Sequence, residues 1–273
     1  MKPLNPAAFI RGLKGILDGG VCLPESLSDN PVLQVLLRRR SVRKFQDRRI
    51  PDDVFRAILE AGRVAPSGVN LQSWSFGVYD PESWKRVFGR PVPFGAARAV
   101  MVMGDVHRLQ GVLEEFPRRP LVEYTLSVVN ASIAAYAMNV AAESCGVASC
   151  MLSDTDKSGF YDARYLKERL DLPGGVFPVM TIVFGYPRGK PLAMPPKMPL
   201  EQITFTEKYK EADRKVMNRW MEQMIAGYRA WKVTDSFQAQ LKRYLAKIDG
   251  AEKGLEDLIF YSGDCAHDDS PPE

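Results

Sequence analysis

The chain has 273 residues, with 37 Lys and Arg against 33 Asp and Glu, four Cys and two His, and a net charge of +4. This length allows one large domain or two small ones, and the balance of 45% apolar and 26% charged residues excludes a disordered chain. No apolar run reaches the ~18 residues of a membrane-spanning helix, and the N-terminus lacks the apolar core of a secretory signal. We therefore expect a cytoplasmic protein with no membrane partner.

The first half of the chain alternates short helices and strands. Residues 1–30 are expected to form a loosely apolar arm, in which four glycines weaken any helix. Apolar residues at spacings of three and four then predict helices, and runs rich in β-branched and aromatic residues predict strands. In chain order these are helices over 32–39 and after Pro51, a strand over 73–79, a helix over 81–88 and a strand over 98–103.

The longest periodic segment, 121–145, is dominated by alanine and other small residues. A helix that is apolar or small on most faces is buried on most faces. This segment is therefore predicted to be the central helix of the domain or part of a subunit interface, and Gly146 is predicted to cap its C-terminus.

The following segment continues with a strand over 147–152, a helix over 161–170 and a strand over 176–185. Strands and helices alternate without a regular βαβ repeat, which favours an α+β fold over a doubly wound sheet.

Composition divides the chain into four parts, and the last two follow the predicted strands in the sequence. Helices predicted over 207–231, 235–248 and 251–261 are expected to pack on the main domain or on a partner subunit. The parts are an N-terminal arm (1–30), a main domain (31–210), a helical extension (211–262) and an acidic tail (263–273).

Neither a metal site nor a hydrolytic triad is expected. The cysteines contain no Cys-x-x-Cys pair, the two histidines are far apart, and no Gly-x-Ser-x-Gly elbow occurs. The residues concerned are Cys22, Cys145, Cys150, Cys265, His107 and His267.

Seven basic residues fall within twelve positions, from Arg38 to Arg49. A nucleic-acid patch would need aromatic stacking partners spread over a face, and only Phe45 interleaves this cluster, so no nucleic acid is expected as a partner. Two interpretations stay open: a solvated surface, and a compact phosphate site, in which arginine forks match phosphate oxygens.

A second polar segment, 65–74, joins a predicted helix to a predicted strand. Its Asn70 and Gln72 each offer paired donors and acceptors, which suit the edge of a heterocycle. Taken alone, such a segment is more often a plain polar loop.

Together, the two segments resemble the nitroreductase family of FMN-dependent oxidoreductases. The resemblance rests on Arg39-Arg40-Ser41-Val42-Arg43 and on Pro66-Ser67-Gly68-x-Asn70-x-Gln72-x-Trp74, in this order and at this spacing. It extends over roughly 31–209. It implies an α+β sandwich of a central, mostly antiparallel sheet flanked by helices, with a C-terminal helical extension. It also implies a homodimer with two FMN sites at the subunit interface, each built from both chains.

The resemblance assigns roles to individual residues. Arg39 would bind the FMN phosphate. Arg40 and Ser41 would bind the phosphate and the ribityl chain. Arg43 would lie at the pyrimidine edge of the flavin and favour its reduced form. Leu152 would present its backbone N–H to flavin N5, and Lys197 would close the phosphate site. The residues that would line the flavin from the other chain are Pro66, Ser67, Gly68, Asn70 and Gln72.

The implied activity is hydride transfer from NAD(P)H, via flavin N5, to a nitroaromatic, quinone or similar small acceptor. No Gly-x-Gly-x-x-Gly motif for a tightly held dinucleotide occurs, so NAD(P)H is expected to dock transiently, in a ping-pong mechanism. No catalytic nucleophile is needed, since the cofactor carries the chemistry. Phe116 is the candidate aromatic on the substrate side. The alternatives are other chemistry on the same fold, such as reductive dehalogenation, ene reduction or dehydrogenation, and a non-catalytic flavin-binding protein.

Overall fold

The computed structural model describes residues 6–18, 23–113, 119–155, 157–189, 194–231 and 236–260. The chain forms two compact units. The first, called the body below, comprises Pro31–Leu192 and Lys247–Glu273, and the second, the helical unit, comprises Met1–Asn30 and Ala193–Ala246.

A four-stranded sheet forms the centre of the body. Its strands are β1 (Trp74–Tyr79), β2 (Arg98–Asp105), β3 (Ala148–Leu152) and β4 (Val176–Gly185). They lie in the order β1-β2-β4-β3, and each neighbouring pair is antiparallel. The two central strands, β2 and β4, are buried along nearly their whole length, which explains why both appear in the sequence as almost continuous apolar runs.

Ten α-helices are defined within the described residues. Their order and bounds are α1 (Pro6–Asp18), α2 (Pro31–Arg38), α3 (Asp52–Arg63), α4 (Pro81–Phe88), α5 (His107–Gln110), α6 (Pro120–Ser144), α7 (Ala163–Leu170), α8 (Arg214–Trp231), α9 (Phe237–Leu245) and α10 (Ile248–Phe260).

Both faces of the sheet are covered, because side chains along each strand alternate between two cores. Val100 and Val102 of β2 face a core that includes Met138 of α6 and Ile58 of α3. Ala99, Met101 and Met103, which alternate with them, face a second core. That core includes Trp84 and Phe88 of α4, Leu166 of α7, and Cys150 and Leu152 of β3. An antiparallel sheet between helical layers is the α+β arrangement predicted from the sequence.

The long helix α6 is buried on one face and exposed on the other. Its alanines and Met138 pack on the sheet and on α3, where a Cβ at Gly62 would come within 2.7 Å of the Met138 side chain. The opposite face exposes Val122, Val129 and Ile133. Within the described part of the chain, α6 is the one helix that is long and apolar enough to cross a membrane, by length and composition alone. The sequence analysis did not identify this helix as long and apolar enough, because polar residues interrupt its apolar runs.

The last helix, α10, packs on the body. Leu258 is buried against Val106 and Phe177, beside α7. The residues of the predicted acidic tail, 263–273, lie outside the described residues, and the four-part division of the chain stays a prediction.

In the helical unit, the glycines of the N-terminal arm do not prevent a helix. Gly12 and Gly15 lie within α1, which packs on α8. A Cβ at Gly12 would lie 2.7 Å from both the Ala226 Cβ and the Glu222 carbonyl oxygen. The glycine therefore permits a close contact between the two helices, and this packing offsets its low helix propensity.

Helix α8 begins at Arg214, later than the predicted start at residue 207. Asp213 determines this start, because its Oδ1 accepts hydrogen bonds from the backbone N–H groups of Lys215 (2.7 Å) and Val216 (3.2 Å). A carboxylate in this position satisfies donors that the first turn of a helix leaves unpaired.

Candidate functional site

The predicted arginine segment runs along the outer edge of β3. After α2 ends, Ser41 forms a parallel bridge with Ser149, and the Val42 N–H donates to the Ser149 carbonyl oxygen at 3.0 Å. Farther on, Phe45 bridges to Pro187 and is 6% exposed. The segment is therefore fixed to the sheet at both ends, which holds its side chains in place.

Arg39 and Arg43 carry positive charges that no ion pair of the described residues neutralises, although the charge of Arg39 also acts on the Glu143 carboxyl. Arg43 is exposed, and its Nη1 lies 3.5 Å from the Ser41 carbonyl oxygen. Among the residues that the structure describes, neither Arg39 nor Arg43 forms a salt bridge. Arg49, by contrast, pairs with Asp52 at 2.6 Å. Unpaired guanidinium groups on a fixed backbone suit an anionic ligand.

Arg40 faces the end of α2. Its Nη1 donates to the carbonyl oxygens of Leu37 (2.6 Å) and Arg39 (2.8 Å), which caps the helix C-terminus. Arg40 and Glu143 also line a small cavity of about 90 Å³. Burial raises the pKa of the Glu143 carboxyl, and the charges of Arg39 and Arg40 oppose this shift. The assignment of Arg40 to a phosphate and ribityl chain stays a prediction.

Strand β3 places Cys150 next to the arginine segment, and Leu152 follows two residues later on the same strand. Cys150 is 1% exposed, and burial raises the pKa of its thiol, while the charges of Arg43 and Arg39 and a hydrogen bond with Ser41 oppose the rise. The thiol is therefore protonated at neutral pH. Leu152 is buried and ends the strand opposite Thr181 of β4.

The second predicted segment, 66–72, has an unusual backbone. Val69, Asn70 and Gln72 have φ values of 51°, 57° and 50°. A left-handed conformation is costly for a β-branched residue such as valine, and Val69 is 93% exposed, so no buried contact of its side chain compensates. Strain of this kind concentrates at ligand-binding sites.

Most residues of this segment are exposed to solvent. Pro66, Gly68, Asn70 and Gln72 are exposed, and the Ser67 Oγ accepts from the Gln72 N–H at 3.0 Å, which holds the turn. A Cβ at Gly68 would meet nothing within 4 Å, so packing within the chain does not require glycine there.

The two segments do not meet within one chain. No hydrogen bond or ion pair joins 66–72 to 39–43 across the described residues. The structure thus brings Ser41 and Arg43 to Ser149 and Cys150 of β3, and places the second segment before β1, at the opposite edge of the sheet.

Two predicted residues belong to other parts of the chain. Lys197 belongs to the helical unit, where it is exposed in an irregular segment. Phe116 lies outside the described residues. The roles of both stay predictions.

Sequence reasoning passed over the buried polar residues behind the site. Asn139 of α6 donates through Nδ2 to the Ser149 Oγ at 2.5 Å, and Asn130 donates to the Ser73 Oγ at 2.8 Å. The available signal was a pair of asparagines in a helix made otherwise mostly of apolar and small residues.

A larger groove, of about 660 Å³, contains none of the predicted site residues. Arg48 and Lys85 line it together with Asp47 and Glu82. Because the two charge signs are mixed, the groove is less suited to an anionic cofactor than the arginine segment.

The fold and this cluster define an α+β protein with an arginine-rich edge beside an outer strand. The sequence model of the nitroreductase family matches residues 36–90 and 87–186, which together make more than half of the chain. The chain therefore belongs to the nitroreductase family, and the predictions of the family and of an oxidoreductase are confirmed.

Individual relatives agree with this membership. An FMN reductase (NAD(P)H) of Bacillus subtilis is 28% identical over 195 residues, which cover 67% of this chain and 76% of that protein. An NADPH-dependent oxidoreductase of Staphylococcus saprophyticus is 24% identical over 233 residues, covering 79% and 91%. The solved structure of NfrA2 from B. megaterium has a TM-score of 0.70 at 20% identity and covers 85% of this chain and 98% of its own. This likeness confirms the predicted fold.

Proposed function

We propose that this chain is an FMN-dependent oxidoreductase that takes a hydride from NAD(P)H and delivers it to a nitroaromatic, quinone or similar small acceptor in a ping-pong mechanism. The observation that carries the proposal is the pair of unpaired arginines, Arg39 and Arg43, fixed beside β3. The names of the relatives, which include an FMN reductase and NADPH-dependent oxidoreductases, support the cofactor and the donor.

The charges of the residues present fit the anionic phosphate of FMN. Arg39 and Ser41 would hold the phosphate end through charge-assisted hydrogen bonds, and Arg43 would hold the pyrimidine edge of the ring. Bound FMN supplies the hydride chemistry at its N5 atom. The buried β3 next to the arginines would exclude water from this side of the ring.

The segment 66–72 would complete the site from a second chain. Its exposed Asn70 and Gln72 offer amide donors and acceptors to a heterocycle, and Gly68 lets a flat ring come close to the backbone. That this segment does not join 39–43 within one chain supports a site shared between two subunits.

An exposed apolar stripe on α6 supports the homodimer. The side chains of Val122, Leu126, Val129, Ile133 and Tyr136 are between 39% and 57% exposed and lie at spacings of three and four, on one face of the helix. A contiguous stripe of this kind on a helix marks an interaction surface. We infer that α6 is a core and interface helix rather than a membrane span, and that the protein is cytoplasmic.

The test is the absorbance spectrum of the purified protein with added FMN, followed by anaerobic addition of NADH and NADPH in separate cuvettes. We expect a bound flavin that one or both nicotinamides bleach, and whose colour returns when a quinone or nitroaromatic is added. Arg39→Ala should weaken FMN binding, and Arg49→Ala should serve as the control, because Arg49 is paired with Asp52. A protein that binds no FMN would exclude this function, and bound flavin that neither nicotinamide reduces would favour a non-catalytic flavin-binding protein.

A further inference from the structure

We propose that Asn139 and Asn130 of α6 are positioning residues of the flavin site, each of which fixes one cofactor-binding segment through a buried serine. This inference rests on the proposed function. It concerns two residues that touch neither the cofactor nor the substrate, and whose effect passes through Ser149 and Ser73.

The first link joins α6 to the arginine segment. Asn139 is 1% exposed and donates through Nδ2 to the Oγ of Ser149, also 1% exposed, at 2.5 Å. The carbonyl oxygen of the same serine accepts the Val42 N–H at 3.0 Å, and Ser41 bridges to it. Ser149 thus lies between the helix on one side and the backbone that carries Arg43 on the other.

The second link joins α6 to the other segment. Asn130 is 5% exposed and donates to the Oγ of Ser73, which is 2% exposed, at 2.8 Å. Ser73 directly follows Gln72 in the chain, and its carbonyl oxygen accepts the Asp105 N–H of β2 at 3.0 Å. This serine therefore fixes the point at which the strained turn enters β1.

The spacing of the two asparagines matches the width of the sheet. Asn139 follows Asn130 by nine positions, which is about 14 Å along a helix. The edge strands β1 and β3 are separated by three strand spacings, also about 14 Å. One rigid helix therefore sets the distance between the two segments of a chain.

Core packing alone does not explain why a buried position of α6 carries an asparagine, Asn139. Its Oδ1 is buried and has no hydrogen-bond partner in the described part of the chain. An unsatisfied buried carbonyl lowers stability, and an apolar residue of similar size avoids that cost. The asparagine is therefore expected to serve the position of Ser149 rather than the stability of the fold.

The experiment separates an effect on FMN binding from an effect on stability. It uses the variant Asn139→Leu/Ser149→Ala, which removes both hydrogen-bonding partners. Replacing both by apolar groups is close to neutral for stability. We expect the thermal midpoint of the flavin-free protein to be retained or raised, while the Kd for FMN, titrated by fluorescence, rises about tenfold. Because the displaced segment carries Arg43, the reduction potential of the bound flavin should also fall.

Two further variants complete the design. Asn130→Leu should also weaken FMN binding, whereas Ser127→Ala should leave the Kd within about twofold of wild type. Ser127 is an equally buried polar residue of α6, but its Oγ donates within the helix, to the backbone carbonyl oxygen of Tyr124. Asn139→Met/Ser149→Ala, which also replaces both partners by apolar groups, provides the same measurement if the leucine variant does not fold.

Each result supports or overturns the proposal. An unchanged Kd in the double variant, or a loss of affinity that only follows a fall in thermal midpoint, would overturn it. Failure of the wild-type protein to bind FMN would instead contradict the proposed function, so the two failures are distinguishable.

Discussion

Arg43 forms no salt bridge with any residue that the structure describes, and its charge should therefore be a determinant of flavin redox chemistry. Reduction adds negative charge at the pyrimidine edge of a flavin, and a nearby guanidinium stabilises that charge. We expect Arg43→Ala to lower the midpoint potential of bound FMN by tens of mV, since about 30 mV corresponds to about 1.4 kcal/mol for a two-electron couple. A spectroscopic redox titration measures the shift.

The control for this measurement is Arg49→Ala. Arg49 belongs to the same basic cluster but is paired with Asp52 at 2.6 Å, so its removal should leave the potential unchanged. Equal shifts in the two variants would indicate a general effect of net charge and would remove the specific role of Arg43.

At Val69 the backbone conformation and the residue type disagree. Asparagine tolerates left-handed φ values far better than valine does, and the Val69 side chain, 93% exposed, has little packing to lose. We expect Val69→Asn to raise the free energy of unfolding of the flavin-free protein by about 0.5–1 kcal/mol, as measured by urea denaturation.

Val78 provides the opposite case. It is 44% exposed in β1, where the backbone is extended and valine is preferred over asparagine. Val78→Asn should therefore lower stability. If both variants shift stability in the same direction, left-handed strain at Val69 is not the cause.

Residue type and spacing, together with the resemblance to the nitroreductase family, nominated the arginines and carboxamides, and their roles stay predictions. The conformations of these residues could not be predicted. The hydrogen bonds of Arg40 to the carbonyl groups at the end of α2 depend on its rotamer, which residue type does not determine, and valine gives no local signal of the left-handed backbone at Val69. Asn139 was missed because its partner, Ser149, is on a different element.

At the scale of elements, the contact between α1 and α8 depends on the absence of a side chain at Gly12. Alanine has the higher helix propensity, worth about 1 kcal/mol, but its Cβ would lie 2.7 Å from backbone and side-chain atoms of α8. Overpacking of this kind costs about 1–3 kcal/mol. We expect Gly12→Ala to destabilise the protein and to expose α1 to limited proteolysis.

The matched variant is Gly250→Ala in α10. A Cβ there would meet nothing within 4 Å, so propensity alone should act and raise stability by up to about 1 kcal/mol. Opposite signs for the two substitutions support the close contact at Gly12. Stabilisation by both would contradict it.

The spacing of apolar residues predicted the bounds of helices and strands well where buried positions recur regularly along the element. The strand Val176–Gly185 and the helix Pro81–Phe88 have the bounds expected from their apolar runs and from Pro81. The start of α8 was wrong by several residues because its apolar pattern continues upstream of the Asp213 cap. The N-terminal helix was underestimated because its stability comes from α8, which is more than 190 residues away in sequence.

At the scale of the whole molecule, α6 links the three features that a shared site requires. It packs on the sheet, it contacts the serines beside the two segments proposed to bind the cofactor, and it exposes an apolar stripe that a second copy is proposed to cover. In a symmetric dimer the same patch is used by both chains. The segment 39–43 of one chain and the segment 66–72 of the other could then form one site.

A complementation experiment tests this arrangement directly. Arg39→Ala/Arg43→Ala would disable the first segment, and Asn70→Ala/Gln72→Ala the second, so each homodimer should bind FMN weakly. When the two are unfolded, mixed in equal amounts and refolded, random pairing gives about half heterodimers, each with one wholly wild-type site. About a quarter of all sites should then bind FMN with normal affinity. If both segments served the same site within one chain, every site would keep one defect, and mixing would restore no binding.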